Sequence, residues 1–246
     1  MAGGSETWVI TGAASGIGRA VARSAHANGA RVIAVDLDGA GLETLARELQ
    51  GITTVVANVS LPEDADRVLD AAPDGVNVLV NNAAIMDGMM LVDETPDDFW
   101  QRVVAVNLTG PFLLSKRVLP GMIERGAGVI VNVSSIAGLR GAFAGAAYTA
   151  SKHGVVGLTK SMAYTYREDG VRAVCVCPGA TAHGSKGAIE EGSSFSERGF
   201  MRVTGGQLPT VIGHPEDVAS VIMFAASDAG VRLNGAVLTA DDGLVL

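Results

Sequence analysis

Short apolar runs rich in valine and isoleucine recur at residues 8–11, 31–35, 53–57, 76–80, 128–133, 171–176 and 236–239. Their hydrophobicity is nearly continuous, without the alternation of a half-exposed strand, which predicts strands buried on both faces. Between them lie stretches with helical spacing, at 18–27, 40–49, 62–71, 97–125, 148–167 and 215–226. Strand and helix in alternation predict an α/β fold, a doubly wound parallel sheet between two helical layers, in one domain over 1–246. Pro62 and Pro215 stand where a first helical turn tolerates proline, with Ser60 and His214 just before them. Pro111 and Pro120 are expected to bend the 97–125 helix or to mark its ends.

One stretch resists assignment. Residues 182–209 are rich in glycine and serine, with scattered Phe, Met and charge, and a segment of that length inside a compact domain predicts a lid over a ligand. Composition narrows the function. With 246 residues, 48% of them hydrophobic, the chain can bury a sizeable core. Its 18 Lys and Arg against 26 Asp and Glu leave a net charge of −8, which repels the phosphates of nucleic acid and of anionic lipid. No apolar run approaches bilayer length and residues 1–8 lack the features of a signal peptide, so a cytoplasmic protein is expected. Cys175 and Cys177 fall on one side of one strand and read as buried core thiols, and no His or Cys nearby suggests a metal site.

The first strand leads into Thr11-Gly12-Ala13-Ala14-Ser15-Gly16-Ile17-Gly18 and then a helix. Glycines here permit a tight turn and close approach of a pyrophosphate to the backbone, and the helix N-terminus offers N–H groups and partial positive charge, the features of a Rossmann-type nucleotide site. The spacing is G-x-x-x-G-x-G, and its position between strand and helix gives it weight. The second strand ends at Asp36, where a carboxylate can accept from both hydroxyls of an adenosine ribose and would repel a 2′-phosphate. Neither Ser15 nor Leu37 supplies a basic group, so the expected cofactor is NAD.

Tyr148 and Lys152 are four residues apart, on one face of a helix and within side-chain reach. A neighbouring cation is expected to stabilise the phenolate and bring Tyr148 toward a usable general acid and base. They follow a strand ending in Asn132-Val133-Ser134-Ser135. With Thr11-Gly12, Gly16 and Gly18, Asn81-Asn82-Ala83-Ala84, Asn107, Ser135 thirteen residues before Tyr148, Lys152 and Pro178-Gly179, in this order and spacing, the sequence resembles the short-chain dehydrogenase/reductase family. Gly213-His214-Pro215-Glu216-Asp217-Val218-Ala219 and Ser227-Asp228 extend the likeness toward the C-terminus.

The resemblance implies hydride transfer between NAD(H) and a secondary alcohol or ketone. In that reading Tyr148 exchanges a proton with the substrate oxygen, Ser135 hydrogen-bonds that oxygen, Lys152 binds the nicotinamide ribose and lowers the Tyr148 pKa, and Asn107 holds a relay water. Cofactor contacts are implied at Gly12, Ser15, Gly16, Ile17, Gly18, Asp36, Leu37, Asn58, Val59, Asn81, Ala83, Tyr148, Lys152, Pro178, Gly179 and Thr181, with no metal. A homotetramer is implied as well, paired through the 97–125 and 148–167 helices, and Met86, Ile136, Ala137 and Phe143 are implied to lie near the reacting carbon.

Three positions depart from the family pattern. Asn58 replaces the usual Asp at the adenine, though its amide oxygen can still accept; His183 stands where Thr is common, leaving Thr181 nearby; and Asp241-Asp242-Gly243 replaces Asp-Gly-Gly. Two alternatives remain: a reductase of 3-oxo esters on acyl carrier protein, opposed by Asp36 and by an acidic surface, and a non-catalytic nucleotide sensor, opposed by the intact Ser135, Tyr148 and Lys152.

Overall fold

A computed structural model describes residues 5–182, 195–206 and 212–245. Seven strands, β1 (Thr7–Thr11), β2 (Arg31–Asp36), β3 (Thr53–Val56), β4 (Val78–Asn81), β5 (Gly128–Val133), β6 (Val171–Pro178) and β7 (Val237–Ala240), form one sheet in the order β3-β2-β1-β4-β5-β6-β7. All neighbours pair in parallel. The order reverses between β1 and β4, and in such sheets the crevice at the carboxyl ends of the strands at the reversal is where ligands bind.

The helices are α1 (Gly16–Ala27), α2 (Gly39–Glu48), α3 (Pro62–Asp70), α4 (Asp97–Val104), α5 (Gly110–Arg125), α6 (Ala146–Thr165), α7 (Glu197–Thr204) and α8 (Pro215–Ala226). One apolar cluster joins a sheet face (Ile10, Val32, Val80, Val131) to α1, α2 and α8 through residues such as Val21, Leu45 and Ile222. The opposite face (Val9, Ile33, Leu79, Ile130) packs on α3, α5 and α6. Valine and isoleucine alternate between the two clusters along each strand, which is why the strands read as unbroken apolar runs.

The strands and the doubly wound architecture match the sequence expectation to within two residues at most boundaries; three helical details differ. The expected single helix over 97–125 is α4 and α5 joined by a π-helical turn, Ala105–Thr109. Pro111 sits in the first turn of α5, directly after the π-helical turn, and its missing N–H leaves the Asn107 carbonyl without an i+4 donor; Pro120 lies inside α5. Ser60 does not cap α3: Leu61 occupies that position, because Ser60 is bonded to Asn58 instead. His214 does cap α8, in a reciprocal arrangement with Asp217. The expected lid over 182–209 lies outside the described residues except for Ala182 and 195–206, and the latter include a helix, α7, that composition concealed. His183 also lies outside them.

Candidate active site

The glycine loop is braced from the side. Thr11 Oγ1 accepts from the main-chain N–H groups of Asn82 (2.9 Å) and Ala83 (3.0 Å), and Asn82 Nδ2 donates back to the Thr11 carbonyl at 2.9 Å. Side chains on two of the loop's glycines have no room: a Cβ on Gly18 would lie 2.1 Å from the Gly12 carbonyl, and one on Gly12, at φ 67°, 2.7 Å from Asn82 Nδ2. Gly16 is different. At φ 50° it has nothing within 4 Å of its Cβ position, so this side of the loop is open. Ser15, exposed at the N-cap of α1, makes no side-chain capping bond, and the first amides of α1, through Ile17 and Gly18, have no intrahelical acceptor. An open, glycine-walled loop ending in unsatisfied donors and a helix dipole fits a dinucleotide pyrophosphate.

Asp36 ends β2 half-buried, its oxygens accepting from Ala14 N (2.9 Å) and Asp38 N (3.0 Å). Those bonds fix the carboxylate beside the glycine loop and leave lone pairs for two hydroxyls. Leu37 beside it is 66% exposed, while Asp38 caps α2 through Gly41 N. Asn58 Oδ1 accepts from both the N–H (3.1 Å) and the hydroxyl (2.7 Å) of Ser60 in a local turn at the end of β3. Val59 is buried against Gly110. Asn81 turns its side chain away from the crevice, donating to Asn132 Oδ1 at 2.8 Å, so only its main chain and that of Ala83 face the loop contacts. It is Asn82 that braces the loop, a residue whose role the motif alone did not disclose.

Tyr148, Lys152 and Ser135 come together at the end of β5 and the start of α6. Tyr148 is half-buried in the first turn of α6, with the Ser135 side chain beside its phenol, where it opposes the rise of the Tyr148 pKa. Lys152, 2% exposed, donates from Nζ to the Val133 carbonyl at 2.9 Å and lies 5.4 Å from the centre of the Tyr148 ring. The expected lowering of the Tyr148 pKa by Lys152 is not found. Desolvation pushes Tyr148 up to about 12, with Asp87 and Cys177 adding to the push and only Ser135 opposing it. Burial also brings Lys152 down to about 8, because an enclosed ammonium is poorly solvated.

Asn107, 1% exposed, lies in the π-helical turn. Its Oδ1 accepts from Ile85 N (2.8 Å), and its Nδ2 donates to Ile85 O (2.9 Å) and Ser151 Oγ (3.2 Å). The side chain thus clamps the segment at Ile85 beside α6, and its Oδ1 keeps a second lone pair. Pro178 closes β6; Thr181, 8% exposed, donates its hydroxyl to the Gly179 carbonyl at 3.2 Å. Asp242, in place of the usual glycine, takes φ 52°, the left-handed conformation that explains a glycine preference. Cys175 and Cys177 are fully buried with sulfurs 3.9 Å apart, and the shared contact and burial push the Cys175 thiol up. Among the described residues no three His, Cys, Asp or Glu side chains gather as metal ligands, and no helix is long and apolar enough to cross a membrane.

Residues 6–193 match the family model for short chain dehydrogenases. A 3beta-hydroxysteroid dehydrogenase of Eggerthella lenta is 37% identical over 97% of this chain and 94% of its own. Among solved structures, levodione reductase superposes with a TM-score of 0.84 at 29% identity, covering 97% of this chain and 96% of its own. A 3-ketoacyl-(acyl-carrier-protein) reductase from Brucella melitensis, complexed with NADH, gives 0.85 at 29% identity over 97% of each chain.

Proposed function

The chain belongs to the short chain dehydrogenase family of nicotinamide-dependent oxidoreductases, and from that premise we propose that it interconverts a secondary alcohol and its ketone with NAD(H). The observation that carries this reading is the convergence of Ser135 on the Tyr148 phenol, with Lys152 one helical turn away, in a chain whose glycine loop after β1 is braced and open. The nicotinamide, when bound, supplies or accepts the hydride. Tyr148 gives its proton to the ketone oxygen in reduction and takes it back in oxidation. A pKa as high as about 12 suits the donor role, since the proton stays on until a more basic alkoxide develops beside it. Ser135 donates to the same oxygen and stabilises its growing charge. Lys152 holds the nicotinamide ribose, and Asn107 keeps the segment at Ile85 in place beside it. The exposed Trp100 and Phe112 on α4 and α5, and Tyr164 on α6, are the surfaces through which copies would pair as a tetramer.

Choice of NAD over NADP rests on Asp36, whose fixed carboxylate would repel a 2′-phosphate. Fluorescence titration with NADH and NADPH tests it. NADH is expected to bind at least 10-fold tighter, a gap of about 1.4 kcal/mol, and Asp36→Ala with Leu37→Arg to reverse the order; tighter NADPH binding by the parent defeats the assignment. For the reaction, the names of the relatives suggest three arms: a 3β-hydroxysteroid, levodione and a carrier-protein-linked 3-oxo ester. Turnover of a free alcohol or ketone supports the proposal, whereas turnover of the carrier-linked ester alone favours the biosynthetic reductase.

A further inference from the structure

Asp87 is a fully buried carboxylate with no assigned task. Its Oδ1 accepts from Gly145 N (3.0 Å) and Met89 N (3.3 Å), and its Oδ2 from Tyr148 N (2.8 Å). All three partners are main-chain donors, a setting that suits an acceptor-only group; an amide would turn its NH2 toward an N–H. A helix start is ordinarily capped by a local Ser, Thr or Asp. At the N-cap of α6, however, Gly145 has no side chain, and a Cβ there would meet Asp87 Oδ2 and the Met90 N and O atoms, each at 2.6 Å. The cap is thus delegated to a residue 58 positions away. Burying a carboxylate without a cation is costly, and desolvation pushes the Asp87 pKa up, so a local cap would be the cheaper way merely to start a helix.

The remote cap joins elements that a local one would leave independent. The 87–90 turn also accepts from α6: Ala146 N donates to Met90 O at 2.9 Å. Met89 is held at φ 62°, a left-handed conformation unfavourable for a side-chain-bearing residue, immediately after Gly88 at φ 61°. On its far side the turn meets the segment of α7. Ser196 N donates to Gly88 O at 2.8 Å, and a Cβ on Gly199 would lie 1.8 Å from Met89 O. Arg198 and Ser196 complete the attachment through Asp93 and Glu94.

We propose that Asp87 is a positioning residue for Tyr148, fastening the first turn of α6 to the strained 87–90 turn and through it to α7, so that substrate-side movements and the placement of the phenol are coupled. The catalytic half of this inference rests on Tyr148 being the proton donor. The titratable groups facing the pair are Lys152 of α6 and Cys177 of β6, while Asp93 and Glu94 are engaged by Arg198. The Asp87 charge opposes phenolate formation on Tyr148.

Two variants test the clamp from its two sides. Asp87→Asn removes the charge and one acceptor; Gly145→Ala keeps the carboxylate but displaces it. Each is expected to lower kcat about 10- to 100-fold, the cost of a misplacement of ~1 Å, with NADH affinity within about twofold of the parent. The double variant should be no worse than the poorer single one, since both break one contact. In Asp87→Asn the rise of alcohol oxidation with pH, which requires Tyr148 to lose its proton, should move to lower pH, a change that loss of stability alone would not produce. Amide hydrogen exchange at Gly145 and Tyr148 should quicken in both variants, a readout independent of turnover. A folded Gly145→Ala protein with the parent's kcat and slow exchange overturns the proposal, even if Asp87→Asn does not accumulate. Full activity in Tyr148→Phe would instead overturn the functional reading, and the exchange data would still decide the clamp.

Discussion

The two faces of the sheet are built from the same strands but by different rules. Toward α1, α2 and α8 the buried side chains are apolar almost without exception, and close contact among Val, Ala, Leu and Ile does the holding. Toward α5 and α6 the same strands carry a row of buried polar groups. Ser115, Asn81, Asn132 and Thr159 are linked from α5 across two strands to α6, and Lys152 and Asn107 lie close to that row's end. The parity of the strands makes the separation possible, since Leu79 and Asn81, or Ile130 and Asn132, share a face while Val80 and Val131 serve the other. Buried polar groups bonded in series specify one arrangement rather than adding much stability, and in this row the Asn81 Oδ1 stays without a partner. Both faces therefore bury apolar side chains that stabilise the fold, and the second also commits buried polar groups beside the helix that carries Tyr148.

That division predicts opposite responses to mutation. On the polar face, Tyr148→Phe should cut kcat by about 10²- to 10⁴-fold, the usual worth of a positioned general acid. Because the ring stays in place, NADH affinity should change less than about twofold and unfolding stability by no more than about 1 kcal/mol, the value of the Ser135 bond. Steady-state kinetics beside urea unfolding would show it, and a Phe variant retaining most of the parental rate contradicts the assignment. On the apolar face the pattern should invert. Ile222 is completely buried in α8, and Ile222→Ala should cost about 2–5 kcal/mol of stability through lost contacts and a residual cavity. At a temperature where the variant stays folded, its kcat should remain within about twofold of the parent. A tenfold fall in kcat there would mean that the two faces are not separable.

Legibility in the sequence followed the same boundary. The apolar face is written in short-range signals, valine-rich runs and amphipathic helices, and these located all seven strands. Tyr148, Lys152 and Ser135 were visible because helical spacing and strand-end position are local properties too. Asp87 was not. Nothing within a few residues of it announces a carboxylate that caps a helix starting at Ala146, since its burial and its partners are made by tertiary contact. Asn82 was read as part of a motif, but only the fold shows its amide on the Thr11 carbonyl. Pro111 carries the local part of the wider turn at Asn107, since it offers no N–H to the Asn107 carbonyl, while the clamp on Ile85 is a tertiary contact. The α7 helix was hidden by the Gly and Ser residues around it, although Ser196 caps it through Gly199 N and Glu197 opens its first turn.

The smallest effect is a pH dependence that only the polar face can produce. Lys152 is nearly inaccessible, and its pKa falls from 10.5 to about 8 because the enclosed ammonium loses solvation. Below about pH 8 the lysine is charged in both folded and unfolded chains, and the folded state bears the full cost of burying it. As pH rises toward 10.5 the folded state sheds its proton first, the unfolded state binds more protons, and stability must increase. Between about pH 7 and 9.5 the gain is on the order of 2 kcal/mol. Tyr148 works in the other direction but later: with a folded pKa of about 12 against 10.0, it withdraws stability only above the lower value. The Cys175 thiol is pushed up and the Cys177 thiol down, and both face Lys152, so the informative quantity is the difference between the parent and Lys152→Met, which reports the lysine together with its effect on the thiols. The methionine variant should be the more stable protein at pH 7 to the extent that its side chain fills the same space, and its advantage should shrink steadily as pH approaches 9.5. Urea titrations of both proteins across this range measure that difference directly. A difference that does not change with pH would mean that Lys152 keeps its ordinary pKa in the folded chain, and that its ammonium is solvated despite the packing around it.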